Sequence, residues 1–178
     1  LPLDGFHVAN RLARTVRTTP YTVWVDRDFD GVIEGCAAPK PDRGKTWINA
    51  RIRRIYRALF EAGDCHTVEV YDGDVLVGGL YGVALGSAFF GESMFSRETD
   101  ASKVAFVQLV RQLALWGFDF IDCQLPSAHL ASLGAEAIRR REFLERLERA
   151  LARPGRTGHW RFEADPAILT GSHPPARP

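Results

Sequence analysis

The stretch His66-Thr67-Val68-Glu69-Val70-Tyr71-Asp72-Gly73-Asp74-Val75-Leu76-Val77-Gly78-Gly79-Leu80-Tyr81-Gly82-Val83 decides the fold. Two β-rich runs flank Asp72-Gly73-Asp74, and an Asp-Gly pair between such runs favours a tight hairpin because glycine accepts the backbone of the turn. Ala84-Leu85-Gly86 turns the chain again into a strand over 87–92, so three consecutive antiparallel strands are predicted. The third strand delivers Gly91-Glu92-Ser93-Met94-Phe95-Ser96-Arg97 straight after the apolar and glycine-rich residues 80–90. A carboxylate in such company is costly to bury unless it is hydrogen-bonded or paired. Glu92 therefore either reaches solvent or has a purpose.

Downstream, residues 101–116 read as a mostly buried helix, begun at Asp100 or Ser102 and ended by Gly117. Residues 118–123 form an aromatic-rich strand running into Asp122-Cys123-Gln124. Ser127 can cap a short helix over 129–133 that Gly134 closes, and Phe143, Leu144, Leu147 and Leu151 make one stripe of a final helix over 141–151. Upstream, Asn49 is an N-cap for a helix with Ile52, Ile55, Tyr56 and Leu59 at i, i+3, i+4 and i+7, while Arg51, Arg53, Arg54 and Arg57 take its other sides. Gly63 ends it. Residues 21–26 alternate as a strand, 28–36 suit a short helix, and 39–45 hold two prolines and a glycine in a polar loop. Residues 10–18 form an amphipathic helix with Leu12 and Val16 on one side and Arg11, Arg14 and Arg17 on others, stopped by Pro20. The order is mixed α+β, a β-meander followed by a crossover helix and another strand.

At 178 residues the chain suits one domain with a real core. With 46% hydrophobic and 25% charged residues it has a globular composition. No apolar run approaches the roughly 20 residues that span a bilayer, so no membrane partner is expected. The opening Leu-Pro-Leu-Asp-Gly has neither an initiator Met nor a signal-peptide pattern, and a preceding segment is expected. Cys36, Cys65 and Cys123 are far apart and suit cytosolic thiols, which points to a cytoplasmic protein. His7, His66, His129, His159 and His173 show no ligand spacing, and no metal is expected. The net charge of +1 hides basic concentrations at 11–17, 51–57, 139–141 and 146–161, and such patches attract polyanions locally.

If the helix at 101–116 is a right-handed crossover, the third and last strands are parallel and Glu92 and Asp122 share a cleft. Gln124 lies two residues past Asp122, so in continued strand geometry both side chains share a face. Two readings stay open on spacing alone. In one, Asp122 and Gln124 handle a proton during attack by a nucleophile while Glu92 holds a cationic group; in the other, Asp122 caps the next helix and Glu92 pairs with an arginine. Ser93 and Ser96 lack a Gly-x-Ser-x-Gly elbow, which argues against a covalent serine mechanism. Trp47, Tyr56, Leu80, Tyr81, Phe89, Phe90, Met94 and Phe95 either line a pocket for an apolar side chain or belong to the core. No phosphate-binding glycine loop is present, so a nucleotide cofactor has no support.

Ordered blocks say more than spacing. Glu34-Gly35-Cys36-Ala37, Thr46-Trp47-Ile48, His66-Thr67-Val68-Glu69-Val70, Gly78-Gly79-Leu80-Tyr81-Gly82-Val83, Gly91-Glu92-Ser93-Met94-Phe95-Ser96-Arg97, Ala101-Ser102-Lys103, Ile121-Asp122-Cys123-Gln124 and His129-Leu130-Ala131-Ser132-Leu133-Gly134-Ala135 occur in that order. Together they closely resemble the leucyl/phenylalanyl-tRNA–protein transferase family over residues 1–151 and weakly through Trp160. The resemblance implies an acetyltransferase-like (GNAT) fold, with a mixed sheet flanked by helices, over 1–151; the remaining 152–178, rich in Pro, Gly and Arg, reads as a loosely attached extension that Trp160 and Phe162 pin in part to the body. It implies transfer of Leu, Phe or, less well, Met from aminoacyl-tRNA to the α-amino group of proteins beginning with Arg or Lys, which marks them for N-degron proteolysis. No cofactor is implied.

By the same resemblance, Asp122 and Gln124 match the pair that orients and deprotonates the attacking amine, and Glu92 an acid that positions substrate groups. Trp47 and Tyr56 match residues near the terminal adenosine and aminoacyl end, with Ser93 beside them in the Glu92 motif, and Leu80, Phe89 and Met94 match the apolar pocket. Arg14 and Arg17, with Arg11 as neighbour, match a basic helix that touches tRNA phosphates, contacts that add affinity without reading sequence. Three departures stand out. Family members carry a Trp-Trp segment before the point where this chain starts, Leu80 stands where Met is common, and Phe90 where a smaller residue is common. The competing expectations are an acyl-CoA-dependent N-acyltransferase of the same fold, which lacks its Arg/Gln-x-x-Gly-x-Gly/Ala loop here, and an inactive tRNA- or peptide-binding module.

Overall fold

A computed structural model describes residues 1–39 and 46–163, with the backbone alone at 129. The loop expected at 39–45 and the Pro/Arg-rich end therefore lie almost wholly outside the described residues. The elements are α1 (Asn10–Thr18), β1 (Thr22–Val25), α2 (Phe29–Ala37), α3 (Ala50–Ala62), β2 (Cys65–Asp72), β3 (Val75–Leu85), β4 (Ala88–Ser96), α4 (Ala101–Leu115), β5 (Phe120–Asp122), α5 (Ala128–Ser132) and α6 (Arg140–Leu151).

The strands form one mixed sheet in the order β1-β2-β3-β4-β5. The first four are antiparallel neighbours, and β5 joins β4 in parallel with Phe90 opposite Asp122. A parallel neighbour needs a crossover, and α4 supplies it. Leu80, Phe89, Val104, Leu109, Leu113 and Ile121 are buried together with Leu12 and Val16 of α1, so α1 and α4 cover one face. The other face is covered by α2 and α3, where Val32, Ile33, Cys36, Phe60, Tyr81 and Phe95 pack. Farther along that face, Phe143 and Leu147 of α6 pack on Ala88, Phe90 and Phe120.

Alternation explains this partition, because successive strand residues point to opposite faces. Tyr81 and Phe95 face α2 and α3, while Leu80 and Met94, paired across β3 and β4, face α4. Gly35 lets α2 approach the sheet: a Cβ there would stand 2.6 Å from the Phe95 ring. Strand β4 runs to Ser96, four residues beyond the expected end at Glu92, since Ser93 to Ser96 continue to pair with β3.

The residues after α6 are pinned to the body at Trp160 and Phe162, the two aromatics of an otherwise Pro-, Gly- and Arg-rich segment. Trp160 is 3% exposed. Its indole stacks on His66 at 3.5 Å and meets Trp116 edge-on at 4.9 Å. Its backbone N–H donates to Asp26 Oδ2 at 2.7 Å, and the same carboxylate takes Thr67 N–H at 2.9 Å and His66 Nδ1 at 2.8 Å. Asp26 has φ +55, a conformation uncommon outside glycine. Its three partners offset that strain by satisfying a carboxylate that is 2% exposed.

Candidate active site

Glu92 owes its position to a β-bulge. Tyr81 pairs with Ser93 and Gly82 with Gly91, so Glu92 is the extra residue on β4 with no partner on β3. The bulge re-aims its side chain toward α3, where the carboxylate comes close enough to the Tyr56 hydroxyl to hold its proton in place. Gly82 leaves room beside the bulge, since a Cβ there would stand 2.3 Å from the Phe90 carbonyl oxygen. Glu92 is half-buried. Among the described residues it has a tyrosine partner and no arginine, so the reading that pairs it with an arginine fails.

Tyr56 is held by a helix with sound ends. Asn49 Oδ1 accepts from Arg51 N–H at 3.0 Å and Ile52 N–H at 3.1 Å, and Gly63 at φ +80 closes α3 in the left-handed region. The Tyr56 ring meets Tyr81 edge-on at 5.0 Å and Trp47 at 6.4 Å. Burial, and then the hydrogen bond and charge of Glu92, push the Tyr56 phenol well above its ordinary range. It stays a neutral donor toward the carboxylate.

Tyr81, one of the residues expected either in the pocket or in the core, is fully buried beneath this cluster. Its hydroxyl has no hydrogen-bond partner among the described residues. Burial raises its pKa, with Tyr56, Cys36 and Glu92 adding to the shift. The signal in the sequence was its place opposite Ser93, but the bulge that makes that place special is invisible to alternation.

Of the expected donor-site residues, Trp47, Tyr56, Glu92 and Ser93 thus lie together on the α2/α3 side, with Trp47 45% exposed. Leu80 and Phe89, 3% and 1% exposed, belong to the core on the α4 side, and Met94 packs against it half-buried. The expected set is therefore split by the sheet, with the apolar residues behind Glu92.

Asp122 ends β5 on the face shared with Phe90, two residues before the bulge on the neighbouring strand. Continued strand geometry fails at once after it. Gln124 adopts φ +61, and its backbone N–H donates to Asp122 Oδ1 at 2.8 Å while Leu125 N–H donates to Cys123 O at 2.7 Å. Asp122 caps this turn; the helix cap expected of it in one reading belongs to Ser127, whose Oγ accepts from Leu130 N–H at 3.1 Å. The Gln124 side chain is exposed. Both residues line a groove of about 660 Å³ whose other wall comes from α5, α6 and the segment between them, including Leu130, Glu136, Phe143 and Arg146. Glu92 is not among its lining residues, so the two acids share a face but not one cavity.

The basic helix α1 exposes Arg14 and Arg17, while Arg11 approaches Asp100 at 3.8 Å. It packs on α4, away from Trp47 and Tyr56. Among the described residues no group of His, Cys, Asp and Glu is placed to hold a metal ion, and no helix is long and apolar enough to cross a membrane.

Comparison with known proteins bears on this arrangement. The family model described as "Leucyl/phenylalanyl-tRNA protein transferase" matches residues 1–148. Proteins named leucyl/phenylalanyl-tRNA–protein transferase match from Rhodopseudomonas palustris strain BisB18 (57% identity, 85% of this chain and 66% of that protein), Afipia carboxidovorans (53%, 86% and 68%) and Caulobacter vibrioides (56%, 87% and 71%). The chain thus spans about two thirds of the length of these curated relatives. Among solved structures, an aminoglycoside acetyltransferase from an uncultured soil metagenomic sample matches with a TM-score of 0.43 and 9% identity, over 83% of this chain and 99% of that one. That likeness is too loose to carry weight. The sequence matches are not loose, and the chain belongs to the leucyl/phenylalanyl-tRNA–protein transferase family.

Proposed function

We propose that this chain is an aminoacyltransferase that moves Leu, Phe and, less well, Met from aminoacyl-tRNA to the α-amino group of proteins beginning with Arg or Lys, marking them for N-degron proteolysis in the cytoplasm. Family membership supports the reaction class. The observation that carries the site is the bulge-borne Glu92 held by Tyr56 beside the Asp122–Gln124 turn.

An aminoacyl ester is already activated, so alignment and proton removal are the main tasks. The acceptor nitrogen attacks the ester carbonyl, a C–N bond forms, the C–O bond to the terminal ribose breaks, and the proton lost by nitrogen ends on the ribose oxygen. Asp122 fixes the Gln124 peptide, which leaves the exposed Gln124 amide oxygen to receive an N–H of the amine and hold its lone pair toward the carbonyl. Glu92 holds the donor's own ammonium by a charge-assisted hydrogen bond, with Tyr56 keeping the carboxylate in place. Trp47 and Tyr56 flank the terminal base, Ser93 lies beside the aminoacyl end, and beyond Phe90 and Asp122, the last pair of β4 and β5, the apolar side chain reaches half-buried Met94, with Leu80 and Phe89 as the core behind it. Arg11, Arg14 and Arg17 hold phosphates of the tRNA body. No cofactor takes part.

A straight or γ-branched side chain suits such a pocket better than a β-branched one, by the roughly 10–200-fold that small apolar differences allow. Transfer to an Arg-starting peptide from Leu-, Phe-, Met- and Ile-charged tRNA tests the reading: Leu and Phe lead, Met follows, and Ile trails. Equal transfer of Ile and Leu would contradict it.

A further inference from the structure

We infer that the outer arginine face of α3 is a second anion-binding surface, which takes the phosphates that precede the terminal base of a single-stranded RNA 3′ end held at Trp47 and Tyr56. The inference rests on the donor reading above and names residues that reading leaves without a role.

Helix α3 carries Arg51, Arg53, Arg54 and Arg57 against one acid, Glu61, near its far end. Arg57 is already engaged, by Asp30 and by the Phe29 ring at 4.5 Å. Arg51 and Arg54 are exposed and Arg53 is half-buried, and none of the three has an ion pair among the described residues. Two costs follow. Arg51 and Arg54 are like charges at i, i+3 spacing, which destabilises a helix. Arg51 and Arg53 also sit in its first turn, where the macrodipole disfavours cations, and no acid there relieves them. A bound polyanion removes both costs.

The chemistry of the neighbourhood selects the polyanion. Trp47 precedes the helix with its indole 45% exposed and edge-on to Tyr56. An exposed aromatic at the start of α3, with Arg51 and Arg54 on the outer face of the helix turned away from Tyr56, fits a terminal base that stacks at Trp47 while the preceding phosphates run over the arginines, where stacking is sequence-tolerant. Helix α1 cannot substitute, because it packs on α4 across the sheet. Asn49 already satisfies the first amides of α3, so the guanidinium groups and not the helix end meet the phosphates.

The test titrates the full chain into a labelled, uncharged single-stranded RNA ending in CCA over a series of salt concentrations. Arg51→Ala plus Arg54→Ala weakens binding on the order of tenfold at low salt and makes the slope of log K against log salt shallower by about 1.4, or about 0.7 for each phosphate no longer neutralised. Arg51→Lys plus Arg54→Lys keeps the slope. Arg139→Ala plus Arg149→Ala, which removes the same charge from α6 and its N-terminal flank, leaves slope and affinity unchanged. An unchanged slope in the α3 alanine variant, or an equal loss in the α6 variant, overturns this inference and leaves the donor reading standing. A wild-type chain that does not bind the RNA overturns both.

Discussion

The Tyr56 hydroxyl on α3 lies close to the carboxylate of Glu92, the bulged residue of β4, on the α2/α3 face of the sheet, and that carboxylate helps to keep the phenol protonated. Removing that hydroxyl leaves a half-buried carboxylate without its fixed partner. Tyr56→Phe should lower kcat/KM for leucyl transfer by roughly tenfold, about 1.4 kcal/mol of transition-state stabilisation. Urea unfolding should change by no more than about 1 kcal/mol, since the ring still packs on Tyr81. Unaltered kinetics would detach Tyr56 from the reaction.

Gln124 offers a cleaner substitution than most, because its φ of +61 is a conformation glycine adopts without strain. Gln124→Gly keeps the turn and the N–H that Asp122 accepts, yet deletes the amide proposed to hold the amine. Thermal stability should hold or rise, while the transfer rate falls by roughly 100-fold or more, in the range that positioned proton handling contributes. RNA affinity should stay unchanged. Parallel loss of RNA affinity and rate would show that Gln124 acts in binding instead.

Asp122 and its turn mark the limit of what the sequence made legible. The hairpin at Asp72-Gly73, the capped helix from Asn49 to Gly63 and the parallel return of β5 were legible, because turn residues and period-2 or 3.6 patterns are local signals. The bulge at Glu92 was not, since an extra residue leaves no mark in a run of Gly, Glu, Ser and Met. Gln124 at positive φ was also hidden, because glutamine carries no preference for that conformation. The split of Leu80, Phe89 and Met94 from Trp47 and Tyr56 follows from strand parity on β3 and β4, which the bulge itself shifts. Arginines at 51–57 were visible as a patch, but which of them are already paired depends on α2.

Glu69 predicts a pH dependence. It is fully buried, and desolvation raises its pKa from 4.5 to about 7, against lowering hydrogen bonds from Thr67 and the N–H groups of Asp28 and Arg27. A raised pKa means that the folded state binds the proton more tightly, so this group imposes no penalty below 4.5 and its full penalty above about 7. Folding stability should therefore fall by roughly 2–3 kcal/mol from this residue as pH rises through that window. Glu69→Gln should flatten the corresponding slope of unfolding free energy against pH. An identical slope in both proteins would refute the assignment.

Trp160 should matter to the fold more than its position in the sequence implies. Trp160→Ala deletes an indole that packs on His66, Trp116 and Phe118, and it should cost roughly 3–5 kcal/mol in urea unfolding. A loss below about 1 kcal/mol, the scale of surface substitutions, would mean that this segment does not hold the sheet.

The identity of the acyl donor is the central claim. Incubation of the chain with leucyl-tRNA and an Arg-starting peptide, in parallel with labelled acetyl-CoA and the same peptide, separates the two acyl donors open to an α+β fold of this kind. The predicted result is leucine on the peptide α-amino group and no acetyl transfer; acetyl transfer without leucyl transfer would contradict it.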